Sequence, residues 1–307
     1  MDADQYLKNL TPPQKCVDIV IDTDAFTEVD DLFAISYAVK HTDRFNVKGI
    51  LAAPFFKESK ISSIAEGIDK SYDEIIKILK LTKRDDILSC VFKGSTEYLK
   101  NETEPVESAA VDFLVKLARE YSPESPLYIV AIGALTNIAS AIIKNPHIKE
   151  NCVVVWLGGK GIHMSNGADE YNLRNDIAAA RIVFGCGVPL VQVPCHGVAD
   201  RFLTTEFELK HWLENKNELC DYLLERTVEF SETYSKGMPW SRVIWDVTAV
   251  GWLLNGSGRY MRDNLIPSPI PEYDKQYAFD ADRHPIKYVY WIERDRLFKD
   301  LFEILGS

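Results

Sequence analysis

The chain has 307 residues and a formal net charge of −11 at pH 7, and 46% of its residues are hydrophobic. This apolar content is ample for a large core, and the acidic surplus argues against a nucleic acid or an anionic membrane as a partner. No linker rich in Pro, Gly or Ser and no low-complexity run divides the chain. We therefore predict a single domain over residues 1–307.

The start of the chain and its cysteines indicate where the protein works. Residues 1–5 lack the basic region and the apolar core of a signal peptide, and no apolar run approaches the length of a membrane span. The six cysteines lie far apart without a Cys-x-x-Cys pair, which is typical of reduced thiols. We expect a cytoplasmic protein with no membrane partner.

The first predicted elements are a buried parallel strand at residues 17–21 and a helix at residues 31–39. Their junction carries four aspartates: Asp22, Asp24, Asp30 and Asp31. The first two lie on an extended segment and point the same way, whereas the other two lie in the first helical turn, where the helix dipole tolerates negative charge. Clustered carboxylates repel one another unless a hard cation binds them, and irregular oxygen ligation favours Ca²⁺ over Mg²⁺. The alternative is a helix N-cap with solvated acids.

Strands and helices alternate through most of the remaining chain. We predict strands at residues 47–53, 127–132, 153–157 and 189–194, and helices at 64–79, 109–118, 138–143, 175–184 and 207–234, the last with a break near Asn215. This rhythm predicts an α/β fold with a mostly parallel, doubly wound (Rossmann-like) sheet. The end of the chain differs: residues 277–282 and 286–292 look like a hairpin, and residues 295–305 like a terminal helix.

Three later segments place polar groups where predicted strands end or helices begin. Residues 131–139 form a strand end, a Gly turn and a helix start, which face the same sheet edge as the aspartates. Asp246 begins an apolar helix, where a carboxylate has a desolvation cost that a cation would offset. A loop holds three side chains that suit a polyhydroxylated ligand: Asn166, Glu170 and Asn172. Taken singly, these segments would be an ordinary capped helix, a core segment and a polar surface loop.

In this order the motifs resemble those of the inosine-uridine nucleoside hydrolase family. The resemblance rests on Asp22-Thr23-Asp24 followed by Asp30-Asp31 and Ala34, on Gly133-Ala134-Leu135-Thr136-Asn137, on Gly158-Gly159 followed by Asn166, Glu170, Asn172 and Asp176, and on Asp246 with Ala249-Val250. The loop at residues 25–29 is two residues longer than the common family form and lacks Pro and Gly, so the chain resembles a divergent branch.

The resemblance implies a nucleoside hydrolase-like fold and Ca²⁺-dependent hydrolysis of a ribonucleoside to ribose and free base. It implies one Ca²⁺ held by Asp24, Asp31, Asp246 and the main-chain carbonyl of Thr136. Asp24 would also act as the base that takes a proton from the attacking water. The implied ribose ligands are Asp30, Glu170, Asn172 and Asp246, with Asn166 as a further one.

The residues around the nucleobase are the least family-like. Trp245 stands where many pyrimidine- or inosine-preferring members have a histidine. Stacking of the base on Trp245 or Trp240 is one expectation, and it favours purines over uridine; a core position for Trp245 is the alternative. His163 and His196 both remain open as the acid that protonates the leaving base.

Two further departures leave rival functions open. Lys57 lies where the family often has an asparagine. Glu28 in the longer loop is expected to face water, and the alternative is that it projects into the site. The rivals are a hydrolase of another ribosyl compound and a ribose- or nucleoside-binding protein that lost turnover. In each case the partner is a small-molecule nucleoside or ribosyl compound, and we expect a homo-oligomer, a dimer or a tetramer.

Overall fold

A computed structural model describes residues 1–307 and contains twelve strands and eleven α-helices. The strands are β1 (Val17–Thr23), β2 (Phe45–Ala52), β3 (Val91–Lys93), β4 (Leu127–Ala131), β5 (Cys152–Leu157), β6 (Leu190–Val193), β7 (Leu203–Thr204), β8 (Arg242–Val243), β9 (Met261–Pro267), β10 (Ile270–Pro271), β11 (Tyr277–Ala278) and β12 (Pro285–Ile292). The helices are α1 (Ala3–Asn9), α2 (Asp30–Lys40), α3 (Ile64–Leu81), α4 (Ala109–Ala118), α5 (Thr136–Lys144), α6 (Tyr171–Asn175), α7 (Ile177–Gly185), α8 (Glu206–Leu213), α9 (Glu218–Ser235), α10 (Val247–Leu253) and α11 (Arg294–Gly306).

Eight strands form one central sheet in the order β3-β2-β1-β4-β5-β6-β12-β9. All neighbours in it are parallel except β12 and β9. Along β1, Ile19 and Ile21 face one apolar core and Val20 faces the other, as the two-residue period of a strand requires. A sheet with a buried core on each face is the mostly parallel, doubly wound α/β fold, so this prediction is confirmed.

Helices cover both faces of this sheet. Side chains of α2, α3, α10 and α11 pack with Ile19 and Ile21, and those of α4, α5 and α7 pack on the Val20 side. Two of these helices begin where the sequence predicted, because serine caps fix their first turns: Ser63 and Ser108 accept hydrogen bonds from the third backbone N–H that follows each of them.

The strand order reverses between β1 and β4, because the chain first adds β2 and β3 on one side of β1 and later adds β4, β5 and β6 on the other. Asp22 pairs with Ala131 across this boundary, and the backbone N–H of Ile132 donates to the Asp22 carbonyl at 2.8 Å. The residues that follow β1 and β4 are therefore held side by side. In doubly wound sheets, ligands bind at such a reversal, outside the carboxyl ends of the strands.

The prediction that residues 277–282 and 286–292 form a hairpin is wrong. β12 pairs antiparallel with β9 and parallel with β6, whereas β11 pairs with β10. The sequence analysis missed β9, since only Met261 of its seven residues is buried. Such an edge strand carries polar side chains that hide the alternation of apolar residues.

Smaller differences concern the helices. The predicted helix at residues 175–184 is two helices, α6 and α7, separated at Asp176, and α1 was not predicted. The predicted break near Asn215 is present, and this residue has a φ of +60°. No helix combines the length and the apolar character that a membrane crossing needs.

Candidate active site

A cavity of about 520 Å³ opens where β1, β4 and β5 end, at the reversal of strand order. Most of the residues that the sequence singled out line it: Asp24, Asp30, Asp31, Glu170, Asn172, Trp245 and Asp246. A larger depression of about 800 Å³ lies elsewhere, along α8, α9 and the segment after them. Trp240 lines that depression and does not line the cavity at the sheet edge, so it is not placed to stack on a ligand there.

Three buried carboxylates form the centre of the cavity. One oxygen each of Asp30, Asp31 and Asp246 lies within 4.8 Å of the others. The first two occupy the first turn of α2, and Asp246 immediately precedes α10, which packs against α2. Both helix N-termini thus direct their partial positive charge at the same group of acids.

Asp24 lies beside this group, after the end of β1. Its carboxylate accepts a hydrogen bond from the Thr27 hydroxyl at 2.7 Å, and Asp31 accepts one from the Thr23 hydroxyl at 2.5 Å. Both acids line the cavity, but Asp24 is not a member of the close group that Asp30, Asp31 and Asp246 form. The structure thus brings three of the four aspartates of the first motif to the cavity.

Asp22, the fourth, points away from the cavity. Its Oδ1 accepts a hydrogen bond from the Asn137 side chain at 2.8 Å, and its Oδ2 has no partner. Burial raises the pKa of Asp22 to about 7. The expectation that Asp22 and Asp24 point the same way is wrong, because the chain leaves the extended conformation directly after Thr23.

The crowded acids in the cavity lack a counter-charge from the protein. Burial is the largest cause that raises the pKa of Asp24 and Asp246 well above the usual range, and the negative charge of neighbouring acids adds to it. Burial is also the largest cause that raises the pKa of Asp30 and Asp31, in each case to about 7. No lysine or arginine forms an ion pair with any of these four residues. A set of buried carboxylate oxygens without a paired cation fits a hard divalent metal ion.

Thr136, which was predicted to bind the cation through its main-chain carbonyl, lies away from the cavity. Thr136 does not line the cavity; it begins α5, and its hydroxyl donates to Asp176 at 2.7 Å. Ile132, four residues earlier, does line the cavity directly after β4. The Ile132 carbonyl accepts one hydrogen bond, from the Asn172 amide at 3.3 Å, and a carbonyl oxygen can accept a second contact. A carbonyl in the first turn of a helix points along the helix axis instead.

Glu170 and Asn172 form a polar wall of the cavity, and hydrogen bonds to backbone groups hold both side chains in place. The Glu170 carboxylate accepts from the N–H groups of Gly159, Asn172 and Leu173 at 2.8, 3.0 and 3.2 Å, and the Asn172 amide donates to the carbonyls of Ile132 and Leu157. Gly159 has a φ of +76°, a conformation that favours glycine, and a Cβ there would lie 2.1 Å from the Tyr277 hydroxyl.

Two predicted residues of the same loop lie outside the cavity. Asn166 is exposed, its φ is +53°, and its backbone N–H donates to Gln276 at 3.2 Å. His163 is also exposed, whereas His196 lines the cavity. The sequence analysis placed Asn166 at the sugar because it shares a polar, family-like loop with Glu170 and Asn172, but the loop turns outward between Asn166 and Glu170.

A charged rim surrounds the mouth of the cavity. Lys57 lines the cavity and lies 3.3 Å from the carboxylate of Glu28, which also pairs with Arg242. The expectation that Glu28 faces water is wrong. Through these ion pairs, the Glu28 side chain joins the longer loop after β1 to Lys57, after β2, and to Arg242, in β8. Arg242 was missed because nothing in the sequence links it to residue 28, 214 positions earlier.

The chain is similar to several known proteins. The family model described as inosine-uridine preferring nucleoside hydrolase matches residues 19–282. The pyrimidine-specific ribonucleoside hydrolase RihA of Salmonella schwarzengrund (strain CVM19633) is 26% identical over 243 residues, which cover 70% of this chain and 76% of that protein. The probable uridine nucleosidase 2 of Arabidopsis thaliana is 28% identical over 165 residues, or 52% of this chain and 49% of that protein.

Solved structures show the same fold. The plant nucleoside hydrolase PpNRh1 superimposes with a TM-score of 0.74 at 19% identity, covering 96% of this chain and 100% of that one. The purine-preferring ribonucleoside hydrolase from Gardnerella vaginalis also gives a TM-score of 0.74 at 19% identity, covering 94% of this chain and 98% of that one. At these identities the likeness concerns the fold alone.

Proposed function

The chain belongs to the inosine-uridine preferring nucleoside hydrolase family, and we propose that it uses a bound Ca²⁺ to hydrolyse the N-glycosidic bond of a ribonucleoside to ribose and free base. One observation carries the proposal: a single cavity joins the buried acids Asp24, Asp30, Asp31 and Asp246 to the polar wall of Glu170 and Asn172. The acids suit a hard cation, and the wall suits the hydroxyl groups of a sugar.

The cation would be held by Asp24, Asp31 and Asp246. For the main-chain contact we propose the carbonyl of Ile132 in place of that of Thr136, because Ile132 lines the cavity. When bound, Ca²⁺ would supply the positive charge that acidifies a water and anchors the ribose diol. Ca²⁺ is favoured over Mg²⁺ because its ligation tolerates an irregular set of oxygens.

The protein residues then share the work of hydrolysis. Asp24 takes a proton from the water that attacks the anomeric carbon. Asp30, Glu170 and Asn172 hold ribose hydroxyls. Since carboxylates surround the sugar, they also stabilise the positive charge that develops on its ring as the bond to the base breaks, an effect worth roughly 2–4 kcal/mol for each well-placed group.

Ribose release tests this proposal directly. We expect free ribose from at least one of inosine, adenosine, uridine and cytidine in Ca²⁺, and much less in EDTA. Binding of these nucleosides without any release would support the binding-protein rival instead. Absence of both binding and release would contradict the proposal.

A second candidate follows from the charged rim. Lys57 and Arg174 line the cavity, and Arg242 pairs with Glu28 next to it, so basic side chains lie at the mouth. Such a rim suits a ribosyl compound with an anionic group. Faster ribose release from a nucleoside 5′-phosphate than from the matching nucleoside would favour this candidate.

Trp245→Ala is expected to lower turnover of inosine more than that of uridine. Trp245 lines the cavity beside Asp246, and stacking of a purine on its ring is worth about 1 kcal/mol, or roughly a fivefold rate difference. Trp240→Ala is the matched control, since Trp240 lies outside the cavity. Equal losses on both nucleosides, or uridine as the better substrate of the unmodified enzyme, would refute stacking.

The metal-free protein is expected to become less stable as the pH rises. The pKa values of Asp30 and Asp31 are raised from 3.8 to about 7, so the folded state retains protons that the unfolded chain loses between these values. Their contribution is therefore favourable below about pH 4 and is lost as the pH rises through about 7. In EDTA the melting temperature should fall by several degrees from about pH 5 to about pH 8, since roughly 1 kcal/mol moves it by about 2–4 °C.

Excess Ca²⁺ should remove most of this fall, because the cation binds the charged carboxylates. Mg²⁺ at the same concentration is the matched comparison. A melting temperature that rises over this pH range in EDTA would contradict the assignment of the acids, and so would one that Ca²⁺ leaves unchanged at the higher pH.

We propose that residues 1–307 form one domain, since one sheet runs through the chain. The homo-oligomer, a dimer or a tetramer, and the cytoplasmic location stay predictions.

A further inference from the structure

A histidine–aspartate pair lies at the Trp245 side of the cavity. His196 follows β6 and lines the cavity, and its Nδ1 lies 3.2 Å from Oδ1 of Asp200. The same oxygen accepts a hydrogen bond from the Trp245 indole N–H at 3.3 Å, and Oδ2 accepts one from the backbone N–H of Gly197 at 2.7 Å. Asp200 therefore fixes both rings. With Nδ1–H donating to Asp200, Nε2 is the ring nitrogen that remains without a partner in the chain.

We propose that His196 is the general acid that protonates the leaving base, and that Asp200 is the positioning residue that orients it. This inference rests on the proposed function. The sequence left His163 and His196 as alternatives, and the structure separates them, because His196 is the only one of the six histidines that lines the cavity.

The position of the pair relative to the sugar supports this role. The ribose diol belongs near the carboxylates, and Trp245 is covalently adjacent to Asp246, one of these acids. The ring centroids of His196 and Trp245 lie 6.3 Å apart, with the rings nearly perpendicular. A base stacked on the Trp245 side would therefore meet an imidazole edge, and a nucleobase needs both an aromatic surface and a proton donor there.

The charges around His196 favour its protonated form. The hydrogen bond to Asp200 raises the pKa of His196, partial burial lowers it, the charges of Asp200 and Glu170 raise it, and that of Lys160 lowers it, with a net upward shift. These groups come from the same loop, from the start of α6 and from the loop after β5. The upward shift increases the imidazolium fraction of His196 at any given pH, which favours a role as a general acid.

The reaction balances with these groups. The bond between the anomeric carbon and the base nitrogen breaks, and its electron pair goes to the base. The base takes the Nε2 proton of His196, through a ring nitrogen or a carbonyl oxygen. Water forms the new bond to the anomeric carbon and gives its proton to Asp24. Solvent then removes the proton from Asp24 and returns one to His196.

Two ribosides with different leaving groups test the role of His196. 4-Nitrophenyl β-ribofuranoside releases a stable phenolate that needs no proton, whereas inosine releases a base that does. His196→Ala should lose at least about 100-fold on inosine and less than about threefold on the aryl riboside, the contrast expected for general-acid catalysis. His163→Ala, the exposed histidine, is the matched control and should be unaffected on both substrates.

The outcomes separate this inference from the proposed function. An unmodified enzyme that releases ribose from neither riboside overturns both. If the unmodified enzyme turns over the ribosides, either of two results overturns the inference alone. One is equal losses on the two substrates in a folded His196→Ala variant, and the other is no loss on inosine. Circular dichroism checks the fold of each variant.

Asp200→Asn tests the positioning role without removing the imidazole. Loss of the negative partner should lower the pKa of His196, so the alkaline limb of the inosine pH–rate profile should move to lower pH. The profile for the aryl riboside should not move. An alkaline limb that stays in place on inosine would overturn the role of Asp200.

Discussion

Asp24→Ala is expected to slow ribose release from inosine by roughly 10³–10⁴-fold, since the loss of a general base alone costs up to about 10⁴-fold. The fold should survive, because the one side-chain hydrogen bond of Asp24 is to Thr27 and its removal lowers the repulsion among buried acids. Steady-state kinetics and a melting curve measure the two effects. Substrate should still bind, because Glu170 and Asn172 remain.

Asp18→Asn is the matched control for this variant. Asp18 lies on the same strand as the residues that lead to Asp24, but near its opposite end, where it accepts hydrogen bonds from Tyr121 and Asn46. Its turnover should equal that of the unmodified enzyme. Ribose release that persists in Asp24→Ala would remove Asp24 from the role of base.

Asp31→Asn is expected to abolish Ca²⁺ binding. Asp31 belongs to the close group of three buried carboxylates. Replacing even a residue that only hydrogen-bonds to a metal ligand typically lowers the affinity for the metal 10–100-fold. A direct ligand should cost more than about 100-fold. Titration calorimetry with Ca²⁺ measures this loss without relying on activity.

Asp169→Asn provides the comparison for the calorimetry. Asp169 lies next to Glu170 in sequence but pairs with Lys275 at 3.2 Å and does not line the cavity. Its Ca²⁺ affinity should be unchanged. If Asp31→Asn also retained full affinity, the metal site would lie elsewhere in the protein.

The two variants distinguish two uses of the same acidic cluster. Asp24 lies beside the close group and is held by Thr27, as suits a residue that also handles a proton. Asp31 lies within the group and accepts from Thr23. Because both residues are proposed ligands, both variants should bind Ca²⁺ more weakly, and a greater loss of affinity in Asp31→Asn than in Asp24→Ala would support this division.

The sequence by itself determined the fold class and the main acidic motif. Alternation of apolar strands with amphipathic helices is a local signal, and it predicted the parallel sheet and the bounds of α4 correctly. Asp24, Asp30 and Asp31 lie at one strand-to-helix junction, so eight residues of chain suffice to predict that they are close. The resemblance of later motifs then added Glu170, Asn172 and Asp246 to the same cavity.

Only the tertiary structure decided which distant groups meet at that cavity. Asp246 is 215 residues from Asp31, and the two meet because α10 packs against α2. Ile132 faces the cavity because β4 lies beside β1, whereas Thr136, in the same motif, turns into α5. The contact of Trp245 with Asp200, like the outward turn of Asn166, depends on loops. Their conformations follow from packing against distant elements, and neither periodicity nor spacing in the sequence records that packing.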